Sequence, residues 1–171
     1  MKRKWIIPIV LVFFCMGCGY HVTPGGEKID AGIQKVFIGA FSNRTSVANV
    51  ENYVRNAFFS RFRNGNRFTP VARMEEADAS LTGKIVDITT SHLAYSSSDL
   101  AKENRVLMTL EVVFKRTDNG EVVWMNADLS GREAYTVTTN TAITDTNKGN
   151  ALKKLSVDMA DKVYRNIVSG F

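Results

Sequence analysis

The amino-acid sequence predicts an α+β fold, with two helices packed on one face of a mixed sheet of about four strands. Apolar residues recur at three- and four-residue spacing in residues 47–63 and 150–168, which indicates two amphipathic helices. Four other segments have the pattern of strands. Asp118-Asn119-Gly120, between the last two, is typical of a tight hairpin. The predicted order is strand, helix, three strands, helix.

The first strand is predicted over Ile33–Phe41, where apolar residues on both faces indicate an interior position in the sheet. A helix over Val47–Arg63 follows and ends at Asn64-Gly65-Asn66. Because a helix can return the chain to the start of the sheet, it favours a parallel neighbour for the first strand. Phe68–Ala72 is predicted as a short extended piece.

The second long strand is predicted over Ala79–Thr90, and the consecutive apolar residues Ile85-Val86 indicate a bulge or burial on both faces. Ser91–Asn104 has no clear period and is predicted as a long loop. Arg105–Arg116 is the clearest strand, because every second residue from Val106 to Phe114 is apolar. These alternating residues are predicted to face the helices.

The return strand is predicted over Glu121–Val137, with one alternating set facing the helices and the other facing outward. The inward set is Val123, Met125, Ala127 and Leu129, and the outward set is Trp124, Asn126, Asp128, Ser130 and Arg132. Thr136–Gly149 is predicted as a loop rich in threonine and asparagine. The last helix is predicted over Asn150–Val168, with Asp145 or Thr146 as its N-cap.

The segment before the domain has the pattern of a secretion signal. Lys2, Arg3 and Lys4 precede an apolar run of about ten residues, too short for a membrane-spanning helix. Cys15-Met16-Gly17-Cys18 resembles a bacterial lipobox, although Cys15 stands where leucine is usual. We therefore expect residues 1–17 to be a signal peptide, 18–30 a lipidated N-terminus and flexible leash, and 31–171 a single domain. Gly19, which is not aspartate, favours the outer membrane.

Composition excludes several classes of function. Removal of the three basic residues of the signal leaves 19 of the 22 basic side chains against 17 acidic ones, so nucleic-acid binding is not expected. The predicted mature chain has no cysteine beyond Cys18, and the whole chain has only His21 and His92 as histidines. No nucleophile-elbow spacing or phosphate-binding glycine loop occurs. We therefore expect neither an enzyme nor a cofactor or metal site.

The sheet face away from the helices is the candidate binding surface. It is predicted to display polar, basic and apolar side chains together: Thr82, Lys84, Arg105, Leu107, Thr109, Lys115, Trp124 and Arg132. One interpretation is an ordinary solvated face with scattered charge. The other is a surface for an anionic amphiphile or for the inside wall of a partner, since cations bind phosphate while Leu107, Val113 and Trp124 meet apolar surface.

Four motifs in this order resemble the lipopolysaccharide-assembly lipoprotein family, LptE. They are Cys18-Gly19-Tyr20-His21, Phe41-Ser42-Asn43-Arg44-Thr45, Ala77-Asp78-Ala79-Ser80-Leu81-Thr82-Gly83 and Gly120-Glu121-Val122-Val123-Trp124. The resemblance extends from residue 18 to about residue 135. Each motif alone is weakly specific, and their joint order supports the resemblance.

The resemblance implies a non-enzymatic outer-membrane lipoprotein that sits as a plug within the large β-barrel of the lipopolysaccharide translocon. It implies that the protein helps this barrel fold and, as in some members, binds lipopolysaccharide for delivery to the outer leaflet. Cys18 corresponds to the lipidation site. The lipopolysaccharide contacts of the family are basic and lie on the sheet. They do not align residue by residue with this chain, and face and charge give Lys84, Arg105 and Arg132 as the candidates here.

A second resemblance leaves an alternative open. Val36–Thr45, followed by a helix and Arg67-Phe68-Thr69-Pro70-Val71, is similar to the start of curli-type secretion-pore lipoproteins and of lipoproteins that activate peptidoglycan synthases. These would be a pore-forming oligomer or an enzyme regulator facing the periplasm. The Asp118-Asn119-Gly120 hairpin with Trp124 fits the assembly lipoprotein better.

Overall fold

The computed structural model describes residues 32–94 and 102–169. In chain order its elements are β1 (Lys35–Asn43), α1 (Val50–Asn64), β2 (Thr69–Val71), a single 3₁₀ turn (Met74–Glu76), β3 (Ala79–Ala94), β4 (Lys102–Arg116), β5 (Val122–Val137) and α2 (Thr141–Ser169). The predicted signal peptide, Cys18 and the leash lie outside the described residues. The α+β class is confirmed, and the two helices and the four long strands follow one another in the predicted order.

The five strands form one mixed sheet in the order β2-β1-β3-β4-β5. β1 lies inside the sheet and is parallel to both neighbours, as predicted, and β3, β4 and β5 are antiparallel. The expected count of about four strands was one short. The additional strand, β2, has only three residues and lies within the segment predicted as a short extended piece.

Both helices pack on the same face of the sheet and run parallel to each other. Lys153 lies over the ring of Tyr53 at 5.3 Å, and further along the pair Arg61 forms an ion pair with Asp161. Beneath the helices, alternate residues of β4 from Val106 to Phe114 are fully buried, as predicted. No helix among the described residues is long and apolar enough to cross a membrane.

The β3–β4 hairpin is longer than predicted. β3 continues to Ala94 and β4 begins at Lys102. The predicted loop over Ser91–Asn104 is therefore too long, because its first four and last three residues are in strands. His92 lies opposite Asn104 on the neighbouring strand, and His92 Nδ1 is within hydrogen-bond distance of Asn104 Oδ1, at 2.8 Å. Exposed polar side chains such as Ser91 and His92 follow one another here, so the sequence shows no alternation. Residues 95–101 lie outside the described residues.

The last helix begins nine residues earlier than predicted, at Thr141 rather than Asn150. Asn140 is its N-cap: Asn140 Oδ1 accepts hydrogen bonds from the backbone N–H groups of Ala142 at 3.0 Å and Ile143 at 3.3 Å. The predicted loop over Thr136–Gly149 and the N-cap at Asp145 or Thr146 are therefore wrong. The first turns of the helix are largely exposed and lack the apolar stripe that marks the rest of it.

Two register shifts occur between β4 and β5, and the residues between them, Trp124 to Asn126, lie on the opposite faces to those predicted. Trp124 pairs with Phe114 and is only 5% exposed, whereas Met125 pairs with Val113 and is 57% exposed. The prediction that Trp124 faces outward and Met125 inward is therefore wrong. A bulge opposite Glu111 restores the predicted alternation at Leu129, which is buried. The register shift after Ile85 confirms the bulge predicted in β3.

The position of Trp124 gives a stability prediction. Trp124→Ala removes a buried indole next to Phe114, and we expect it to lower the free energy of unfolding by about 3–5 kcal/mol. Met125→Ala, one residue along on the exposed side, should cost less than about 0.5 kcal/mol. Urea denaturation of both variants measures the two changes. A small loss of stability for Trp124→Ala with a large one for Met125→Ala would instead support the faces predicted from the sequence, with Trp124 outward and Met125 inward.

Candidate functional site

The candidate site is the sheet face opposite the helices, which we call the open sheet face. It consists of the outward side chains of β3, β4 and β5, including Thr82, Lys84, Arg105, Leu107, Thr109, Glu111, Val113, Lys115, Met125 and Arg132. Both described helices pack on the other side, so these side chains are left half-buried or exposed. Trp124 and Asn126, predicted for this face, pair with the buried residues Phe114 and Val112 and lie on the other side of the sheet. The other residues predicted for this face lie on it.

Lys84 is neutralised on the open sheet face. It lies directly across from Glu111 on the neighbouring strand, and its Nζ is 2.7 Å from a Glu111 carboxylate oxygen. The side chains are 38% and 29% exposed, so water screens the pair and its contribution to stability is small. Its consequence for binding is larger, because a ligand's phosphate would have to compete with Glu111 for this cation.

Arg105 and Arg132 are brought together. Arg105 pairs with Ala134 and Leu107 pairs with Arg132, so the two arginines are diagonal neighbours on adjacent strands. Such neighbours typically lie about 7–8 Å apart, within reach of one another's long side chains. Neither forms an ion pair with any residue that the structure describes. The open sheet face therefore holds two adjacent cations without a carboxylate partner, and Lys84 lies apart from them.

Exposed apolar side chains accompany these cations. Leu107 is 38% exposed between the two arginines, and Val86, Val122 and Met125 are 41%, 53% and 57% exposed. Sequence reasoning found Leu107 but missed the other three. Val86 lies at the bulge predicted in β3, but its place on this face was not predicted. Met125 depends on a bulge in β5 whose position could not be read from the pattern, and Val122 lies beside the second register shift. The face thus offers both apolar and cationic contacts.

A cavity of about 480 Å³ lies at the end of the sheet where the described chain begins. Its lining is mostly polar and comprises Gly32, Met74, Glu75, Ala77, Asp78, Arg116, Thr117 and Asp118. Asp78 accepts hydrogen bonds from the backbone N–H groups of Lys35 at 2.8 Å and Gln34 at 2.9 Å. These bonds lower the pKa of Asp78, and a hydrogen bond from Arg116 lowers the pKa of Asp118.

Two carboxylates of this cavity, those of Asp78 and Asp118, have structural partners. Asp78 joins the start of β1 to the start of β3, and its backbone carbonyl accepts a bond from Thr117 N in the β4–β5 hairpin at 3.0 Å. Sequence reasoning included Asp78 only as part of a motif and did not identify this role. Within the described ranges, no group of three or more histidine, cysteine or acidic residues is arranged to hold a metal.

The fold, with two helices on one face of a mixed sheet and the other face open, defines the class as a small α+β domain. The family model "LptE: Lipopolysaccharide-assembly" matches residues 33–167, almost the whole of the described domain. The chain belongs to this LptE family. The family is one of non-enzymatic assembly lipoproteins that work within the lipopolysaccharide transport machinery.

Two solved structures have a similar fold. A lipoprotein from Caulobacter crescentus has a TM-score of 0.51 and 9% identity, with 75% of this chain and 88% of that chain covered. A protein from Chlamydia trachomatis has a TM-score of 0.51 and 8% identity, with 80% of this chain and 99% of that chain covered. At these identities the likeness establishes the fold alone. No curated protein sequence matches this chain significantly.

The hydrogen bonds to Asp78 predict a pH dependence. Because the folded state lowers the pKa of Asp78, its stabilising effect is present above the ordinary aspartate pKa of about 3.9 and is lost as the pH falls through the lower folded value. We expect Asp78→Asn to be less stable than the unmodified protein at pH 6, and the difference to narrow as the pH falls from about 3.9 towards 3. Urea denaturation across this pH range measures the difference.

Glu75→Gln is the matched control, because Glu75 lines the same cavity but accepts neither of the bonds from Gln34 and Lys35. At pH 6 its stability should lie within about 0.5 kcal/mol of that of the unmodified protein, as is usual for a substitution of an exposed side chain. A constant difference between Asp78→Asn and the unmodified protein from pH 6 to pH 3 would show that the carboxylate charge is not what stabilises this end of the sheet.

Proposed function

We propose that this chain is an outer-membrane component of the lipopolysaccharide translocon, which sits within a large β-barrel partner and supports the assembly of that barrel. Membership of the family supports a role in lipopolysaccharide assembly. The open sheet face is the observation that supports contact with the barrel. A sheet presenting a broad, uncovered face of polar and basic side chains suits the polar interior of a large barrel better than a lipid-facing surface.

Lipid attachment at Cys18 would hold the domain at the membrane. A lipobox cysteine carries acyl chains on its sulfur and its amino group, and two or more chains give stable attachment where a single chain gives only marginal binding. Gly19 in the following position supports delivery to the outer membrane rather than retention in the inner membrane. The domain then faces the periplasm and the barrel lumen.

The same face supports direct binding of lipopolysaccharide. Arg105 and Arg132 present two planar guanidinium groups, which suit bidentate contacts to phosphate, and Leu107 lies beside them as an apolar contact. Lys84 also belongs to the proposed site, although its ammonium group already forms an ion pair with Glu111. The arginine pair is therefore the stronger part of the proposed site. The pore-forming and synthase-activating alternatives gain no support from the family match.

The proposed partner is tested by purification from native membranes. We expect a tagged full-length chain, extracted in mild detergent, to bring down one large β-barrel protein in stoichiometric amount, identified by mass spectrometry. An unrelated outer-membrane lipoprotein carrying the same tag is the control. Recovery of a peptidoglycan synthase instead, or of a ring made only of this chain, would contradict the proposal.

The lipopolysaccharide site is tested by charge reversal. Arg105→Glu with Arg132→Glu should weaken binding of purified lipopolysaccharide about tenfold or more, because hydrogen bonds to charged groups contribute about 1.5–3 kcal/mol each. Arg55→Glu with Lys148→Glu changes the net charge equally on the helix side and should have little effect. Circular dichroism verifies that both variants fold. Equal losses in the two variants would show that net charge, and not this pair, controls binding.

A further inference from the structure

The sheet has one long edge that the described chain leaves unpaired. β5, with 16 residues, is the last strand in the order β2-β1-β3-β4-β5. The opposite edge is protected, because β2 has only three residues and Pro70 at its centre has no backbone N–H group to offer. An unpaired strand edge is a template for a further strand, so β5 is the edge at which the sheet can be extended.

Two hydrogen bonds at the end of β4 show in which direction its backbone groups point. Arg116 N–H donates to the carbonyl of Glu121, on the β5 side, at 2.9 Å. Thr117 N–H donates to the carbonyl of Asp78, on the β3 side, at 3.0 Å. Because the backbone groups of successive strand residues point to opposite edges, the even-numbered residues of β4 bond to β5 and the odd-numbered ones bond to β3.

The register then identifies the backbone groups of β5 that are free. From Leu129 to Tyr135, without a register shift, the odd-numbered residues of β5 lie opposite even-numbered residues of β4 and bond to them. The N–H and C=O groups of the residues between them, Ser130, Arg132 and Ala134, therefore point away from β4. This stretch, which we call the free edge, has exposed side chains that lie on the open sheet face.

The structure closes the edge of β5 on both sides of the free edge but not within it. Asp128 N–H, before the free edge, donates to Asn126 Oδ1 at 2.9 Å. The Thr136 carbonyl, after the free edge, accepts a hydrogen bond from Asn147 Nδ2 of α2 at 2.9 Å. Between these two side-chain caps, no residue that the structure describes bonds to the outward backbone groups. The free edge thus keeps its donors and acceptors available.

Arg132 determines what kind of strand the free edge fits. It lies opposite Leu107 and diagonal to Arg105 and Thr109, and its neighbours along the free edge are a serine and an alanine. It is exposed and forms no ion pair within the part of the chain that the structure describes. A carboxylate is therefore favoured on an added strand at the position that faces Arg132, because opposite charges at facing positions stabilise a strand pair.

A second copy of this chain fits the free edge less well. Pairing of two copies across the middle of the free edge would bring their two Arg132 side chains against each other, and like charges that face each other across strands are destabilising. Pairing shifted towards the start of β5 would need the N–H group of Asp128, which already donates to Asn126. The free edge thus favours a different chain over a second copy.

We propose that the free edge binds one extended segment of a partner protein, which adds a strand to the sheet beside β5 and places an acidic side chain opposite Arg132. The outward backbone groups supply hydrogen bonds that do not depend on the partner's sequence, and Arg132 supplies the preference for a carboxylate. This inference goes beyond the proposed function and does not depend on the identity of the barrel. Because Arg132 also belongs to the proposed lipopolysaccharide site, an acidic strand and a phosphate would compete for it.

The test uses the chain from residue 18 onward with Cys18→Ala, together with a synthetic peptide. Every side chain of the core lies between Ile33 and Ile167, and the core is therefore complete in this chain. The peptide is rich in threonine, has glutamate at its centre and is about seven residues long, close to the usual length of a strand. We expect it to slow amide hydrogen exchange at the three residues of the free edge, measured by NMR, because their N–H groups become hydrogen-bonded.

Two comparisons separate the backbone contact from the charge. Ser130→Pro removes one outward N–H group, which an edge strand tolerates, and should weaken peptide binding at least about fivefold, the equivalent of one ordinary hydrogen bond. Ser130→Val keeps this N–H group and is the matched control, which should bind the peptide as the parent chain does. A peptide with lysine as its central residue should bind the parent chain at least about threefold more weakly than the glutamate peptide. Circular dichroism verifies that both variants fold.

Any of three results would overturn the proposal. They are unchanged exchange at the free edge in the presence of the glutamate peptide, equal peptide binding by Ser130→Pro and Ser130→Val, and equal binding of the two peptides by the parent chain. None of these results bears on the barrel partner or on lipopolysaccharide binding. The purification from native membranes and the charge reversal test those separately.

Discussion

The structure depends on the burial of one face of β4 beneath two parallel helices. Alternate residues of that strand, from Val106 to Phe114, are fully buried, and the two helices supply the side chains that cover them. Near the C-terminal end of α1, the ring of Tyr164 packs edge-on against the rings of Phe62 and Phe68. Because both helices are committed to this face, the other face of the sheet has no cover from the described chain. The candidate site is thus a consequence of how the core is built.

The parts of the fold that could be predicted are those where burial of one side of a strand or helix imposes a regular spacing of apolar residues. The unbroken alternation of β4 and the apolar stripe of α2 from Leu152 to Ile167 were sufficient to place both elements and the face between them. The errors occur where burial is incomplete. The first turns of α2 and the strand residues after Thr90 are largely exposed, so no apolar pattern marks them, and Asn140 was recognisable as an N-cap only once the start of the helix was known.

The site was partly predictable for a related reason. The faces of Lys84, Arg105 and Arg132 follow from alternation, but their partners depend on strand register, which one-residue shifts change. The Lys84–Glu111 pair and the proximity of Arg105 to Arg132 therefore required the structure. Trp124 was misplaced because the sequence does not show the extra residues of β5. Asp78 was missed as a structural group because it acts through backbone N–H groups, which no residue pattern reveals.

The central claim, that the open sheet face meets the partner, is tested most directly by photo-crosslinking in intact membranes. A photoreactive residue replaces Leu107 on the open sheet face or Val157 on the outer side of α2, two exposed apolar positions on opposite sides of the domain. The account predicts that position 107 gives the predominant adduct with a large β-barrel protein. A predominant adduct from position 157, or no adduct with a barrel protein from position 107, would contradict it.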